Sequence, residues 1–134
     1  MQRPALPILT VLLVLYGVAS LVHFVHNAEF LSDYPNMPAS WSRMGVCVAW
    51  VGMTAVGVAG WTLVARGVHI TGLVFLVFYA GFGLDSLGHY VLAPMSSHTI
   101  AMNATILVEV SAAALVLVDI TCLVARRVHL GRHG

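Results

Sequence analysis

Residues 6–30 read LPILTVLLVLYGVASLVHFVHNAEF. No charged side chain occurs between Leu6 and Val22. A helix needs about 20 apolar residues to cross a bilayer core of about 30 Å, and this run supplies them. It then turns polar: His23, His26 and Asn27 are spaced i, i+3 and i+4, which puts them on one helix face, and Glu29 follows nearer the rim. One stretch therefore gives both a membrane span and the end of that span where chemistry collects. Its start, Met1-Gln2-Arg3 before an apolar run, has the outline of a signal peptide, with Val18-Ala19-Ser20 placed like a cleavage site. The run is longer than the usual h-region of about 7–15 residues, so a retained first helix is expected.

The rest of the chain repeats the pattern. Gly45–Val64, Val68–Leu92 and Thr99–Val124 are further apolar segments of spanning length. Backbone polar groups in a bilayer must be satisfied within the protein, and short connections between long apolar segments favour helices over a barrel. The expected fold is an all-α membrane protein, one four-helix transmembrane bundle of up-down topology over residues 1–134. The composition agrees. The chain is 60% hydrophobic and 8% charged, with a mean hydropathy of +0.94, whereas soluble domains carry about 25% charged residues. Lysine is absent and the net charge is +1, which gives no surface for nucleic acid. The lipid bilayer is the expected environment. A second copy of the chain or another membrane protein is the kind of protein partner its apolar faces would take. Cys47 and Cys122 fall near opposite ends of different segments, so no disulfide is expected between them.

Arginine sets the orientation. Arg3, Arg66, Arg126, Arg127 and Arg132 fall on one side of the bundle and Arg43 alone on the other. The positive-inside rule then puts both termini in the cytoplasm and the histidine-rich ends on the non-cytoplasmic side. The connection Leu31–Met44 holds Pro35 and Pro38, which discourage helix, and Tyr34 and Trp41, which suit a membrane interface.

At the histidine-rich end the ionisable residues come from three segments. His23, His26, Asn27 and Glu29 close the first. Asp85 and His89, spaced i, i+4, come near the end of the third. His98, Met102 and Asn103 open the fourth. Ionisable groups inside a membrane are costly and usually mark function. On the fourth segment His98, Met102, Thr105, Glu109, Ala112 and Val116 follow helical steps of 4 and 3, so this stripe is expected to face the bundle axis. Glu109 lies roughly 16 Å deeper than His98. It is expected to act in proton transfer or to partner the deepest polar residue of another helix. Asp85 either binds an ion with His89 or orients its ring.

Depth matching selects His23, Asp85 and His89, completed by His26 or His98, as a ligand set for zinc, copper, iron or manganese, with Asn27, Met102 and Asn103 around it. If a coordination position stays open, metal-bound water and Asp85 or Glu109 as general base would make the site catalytic. A b-type haem between two histidines such as His23 and His89 is the runner-up. A polar pocket without cofactor, linked to protons, is a third reading, and a structural membrane subunit the plainest. Below Glu109 the fourth segment turns apolar, which favours a pocket open to one side over a through-channel.

Overall fold

The computed structural model describes residues 5–131; Arg3, Arg132 and His133 lie outside the described residues. Helix α1 runs Ala5–Glu29, α2 Arg43–Ala65, α3 His69–Leu84, α4 Gly88–Leu92 and α5 Ile100–Gly131, and no strand occurs among the described residues. Four helices are long and apolar enough to cross a membrane: Pro7–Glu29, Arg43–Ala65, His69–Leu92 and Ile100–His129. The chain is thus an all-helical protein suited to multi-pass insertion in a bilayer.

Two boundaries differ from those the sequence suggests. The last helix continues past Val124 through the arginines, because nothing between Ala125 and Gly131 breaks a helix. The third span is not one uniform helix: a 3₁₀ turn at Asp85–Leu87 separates α3 from α4. Gly81, Gly83 and Gly88 surround that turn and lower the preference for regular α-helix there.

The connections show why the helices stop where they do. Ser42 caps α2, its hydroxyl accepting from Gly45 N at 3.0 Å. The other end of α2 closes in a left-handed turn at Gly67, with φ +88°. There Val68 N donates to Leu63 O at 2.9 Å and Gly67 N to Val64 O at 3.1 Å, the paired bonds of a Schellman motif. This turn lays α3 directly against α2. Glycine sets how close they come: a Cβ on Gly72 would lie 2.7 Å from Val64 N and 2.8 Å from Gly60 O. In lipid, where hydrophobic burial gives helices little reason to associate, such close backbone packing is a main source of cohesion.

Around the bundle α1 packs on α2 and α5, and α3 packs on α2 and α5. The inward face of α5 is Met102, Ile106, Glu109, Ala113, Val116, Ile120 and Leu123. Met102, Glu109 and Val116 belong to the stripe read from the sequence; Thr105 and Ala112 lie at its edge, half-buried. The interior is divided. Leu9, Tyr16, Met53, Leu76, Tyr79 and Val116 belong to one apolar cluster, while His23, Asn27, Ser86, His98 and Glu109 are all buried nearer the other end. Cys47 and Cys122 are free thiols.

Candidate polar site

The floor of the polar end is a pair of tyrosines. The Tyr16 hydroxyl donates to Tyr79 O at 2.9 Å, and the two rings lie 4.5 Å apart. Small neighbours make room for them: a Cβ on Gly83 would lie 2.5 Å from the Tyr16 oxygen, and one on Gly57 2.6 Å from the Tyr79 ring.

Directly above sit His23 from α1 and Glu109 from α5, with side-chain exposures of 1% and 0%. The bonds around them fix the proton positions. The Thr105 hydroxyl donates to Met102 O at 3.0 Å, so its oxygen accepts from His23 Nδ1, 3.2 Å away. His23 therefore carries its first proton on Nδ1. Its Nε2 faces Glu109 Oε2 at 3.7 Å. The Ser86 hydroxyl donates to the same carboxylate oxygen at 2.5 Å. Ser20 neighbours the carboxyl, but neither Ser20 Oγ nor Glu109 Oε1 completes a hydrogen bond. The pair then has places for one more proton: on His23 Nε2 or on Glu109.

Nearer the rim, the other histidines each turn to a different partner. The Asn27 amide nitrogen meets His89 Nε2 at 3.3 Å. His26 Nδ1 meets the Tyr34 hydroxyl at 3.0 Å. His98 Nδ1 donates to Pro94 O at 3.1 Å, which leaves Nε2 as a buried acceptor without a partner. The rings are near one another: the centroids of His23 and His89 lie 5.4 Å apart, and those of His89 and His98 6.2 Å. Their bonded nitrogens nevertheless point at protein groups, not at a shared centre. Among the described residues no group of three or more His, Cys, Asp or Glu side chains is arranged to hold a metal ion.

Asp85 does not take the role of ring-orienting partner to His89. The 3₁₀ turn advances about 120° per residue instead of 100°, so four residues no longer return to one face. Asp85 is exposed and lines a cavity of about 170 Å³ together with His23, Asn27, Ser86 and His89. Asn103 binds the segment between α4 and α5 instead of a ligand: its amide donates to Met95 O and His98 O, and its oxygen accepts from Tyr90. Met102 is buried against Tyr34 and Ile106. Glu29 forms an exposed ion pair with Arg43, tying the end of α1 to the start of α2.

Tyr34 is the residue the sequence hid. Read as an interface tyrosine, it is 3% exposed and plugs the outer end of the bundle. Its ring lies 4.8 Å from His89 and 6.3 Å from His98. Burial pushes its hydroxyl pKa up to about 12. Asn36, at φ +58°, holds the loop in place by donating to Leu92 O at 2.8 Å; asparagine tolerates the left-handed region better than most residues. Ser20 and Ser86 were also missed. Ser20 had one available signal: it stands three residues before His23, on the same helical face.

The chain matches no protein-family model, no curated protein and no solved structure.

Proposed function

We propose that this chain is an up-and-down four-helix membrane bundle with both termini cytoplasmic, whose non-cytoplasmic half holds a proton-linked polar binding pocket. The alternation of direction is supported by the pairing of side chains. Thr10 meets Trp61 across α1 and α2, Ser86 meets Glu109 and Tyr90 meets Asn103 across the third and fourth spans, and higher numbers on one helix meet lower numbers on the next. The orientation rests on the arginine distribution.

The observation that carries the pocket reading is the His23–Glu109 pair. A buried base and a buried acid, 3.7 Å apart, share places for one proton once Thr105 has fixed the His23 tautomer. His23 and Ser86 also line the 170 Å³ cavity, so a molecule in that cavity touches His23 itself and reaches Glu109 through the Ser86 hydroxyl. Occupancy and protonation are then linked through direct contact. Tyr16 and Tyr79 pack together beneath the His23–Glu109 pair, which favours a pocket over a conduit.

Infrared difference spectroscopy across a pH titration tests the reading. The expected result is a carboxylic acid band that titrates, vanishes in Glu109→Gln and moves in His23→Phe. A spectrum with no titrating band assignable to Glu109 refutes it.

A second reading keeps the transition metal. It is favoured by the unpartnered His98 Nε2 and the succession of His23, His89 and His98 rings. It requires the rings to leave their present partners and converge. Elemental analysis of detergent-purified, tag-free protein separates the two: near-stoichiometric zinc, copper, iron or manganese that falls in His89→Ala favours the metal. A b-type haem is less favoured, because the 170 Å³ cavity is below the roughly 300 Å³ at which small-molecule pockets begin.

A further inference from the structure

The cavity has a chemical polarity of its own. Asn27 is 7% exposed, and once its amide nitrogen has met His89, its Oδ1 is left buried without a partner. A buried polar atom without a hydrogen bond is costly and calls for an explanation. Asp85 presents a second acceptor. Its carboxylate lines the same cavity and forms no ion pair among the described residues. Arg43, the cation at this end of the bundle, is engaged by Glu29. Asp85 stands seven positions before Leu92, so it lies about 10 Å inside the end of its helix, where an uncompensated charge is expensive. The remaining wall includes the aromatic rings of Phe24, Trp41 and Phe82.

We infer that this cavity binds a small organic ammonium ion, with the N–H donors on Asp85 and Asn27 Oδ1 and the hydrocarbon body against Phe24, Trp41 and Phe82. Asn27 Oδ1, which has no partner, and the Asp85 carboxylate, whose neighbour in the cavity is the His89 ring, both accept hydrogen bonds, which selects a donor. One of them is anionic, which selects a positive charge. Aromatic faces favour an organic cation over a strongly hydrated metal ion. The volume limits the ligand to a short alkyl or small cyclic amine. This inference rests on the pocket reading above and adds the class of ligand.

The test is calorimetric titration of n-butylammonium into the full chain in detergent, with 1-butanol as the neutral comparison of similar size. Saturable binding of butylammonium and none of butanol is expected. Asp85→Asn should weaken binding by about tenfold or more, since it removes the charge partner. Asn27→Ala should weaken it severalfold. Asp85 is exposed, so its variant should fold; if it does not, the butanol comparison on the unaltered chain still decides. Equal binding of butanol, undiminished binding by folded Asp85→Asn, or uptake of zinc ion where butylammonium fails to bind would each overturn the inference. The Glu109 infrared titration on the same sample separates the two readings. An intact titration without ammonium binding removes the ligand class and leaves the proton-linked pocket standing.

Discussion

A double-mutant cycle on His23 and Glu109 reads the proposed proton pair directly. Glu109→Gln keeps the side-chain shape and still accepts from Ser86. His23→Phe keeps a ring and removes both nitrogens. The latter also strips Thr105 of its donor, but that cost enters both arms of the cycle and cancels. The coupling left over is the pairwise term. Two unit charges at 3.7 Å in an effective dielectric of 20 interact by about 4.5 kcal/mol, which is the scale for an ionised pair. A neutral hydrogen bond, which needs a closer approach than 3.7 Å, is worth about 1 kcal/mol. A pair that draws together to share a proton should therefore give a coupling of at least about 1 kcal/mol, rising toward the larger figure where the pair is ionised. Unfolding in mixed detergent micelles, followed by circular dichroism for the wild type, the two single variants and the double variant, supplies the four free energies. A coupling below about 0.5 kcal/mol, the additivity expected of independent sites, would mean that the two groups do not share a proton.

Three further outcomes follow from named contacts. Gly72→Ala should destabilise the protein by about 2 kcal/mol, because the added Cβ meets backbone atoms of α2 that cannot move aside, whereas Gly81→Ala meets nothing within 4 Å and should be neutral or gain up to about 1 kcal/mol from helix propensity; thermal unfolding in detergent compares them. Tyr34 should ionise near pH 12 instead of the usual value of about 10, so the phenolate absorbance difference between wild type and Tyr34→Phe should have its midpoint there. The sign is that of an acid whose folded pKa is raised: the stabilisation from burying the neutral phenol is complete below pH 10 and is lost as pH climbs to about 12. A reporter fused after the last residue should show a cytoplasmic C-terminus, and an external one would reverse the compartment the pocket faces.

The spans were legible because hydropathy belongs to each segment alone. The inward face of α5 was legible for the same reason, since Met102, Glu109 and Val116 recur at helical steps whatever packs against them. What the sequence could not supply was the partner of each polar group. That depends on how the helices are rotated against one another, and a shift of one residue turns a helix face by about 100°. Asp85 and His89 look like a hydrogen-bonded pair on paper because i, i+4 spacing assumes regular helix; with a 3₁₀ turn between them they share a cavity, and His89 Nε2 meets Asn27 instead. Asn27 and His89 meet only because α1 and α4 are brought together. Tyr34 is the extreme case. Its place over the histidines depends on Asn36 reaching the end of another span, a contact 56 positions away in the chain that no local pattern announces.

The buried ring of Tyr34 also bears on how a guest molecule arrives. Trp41, Phe82, Asp85 and Leu92 line the cavity and are exposed, whereas Tyr34 does not line it. The ring that covers the histidines therefore leaves the mouth of the cavity clear. A guest can come and go while Tyr34 stays seated, so exchange does not require the outer end of the bundle to open.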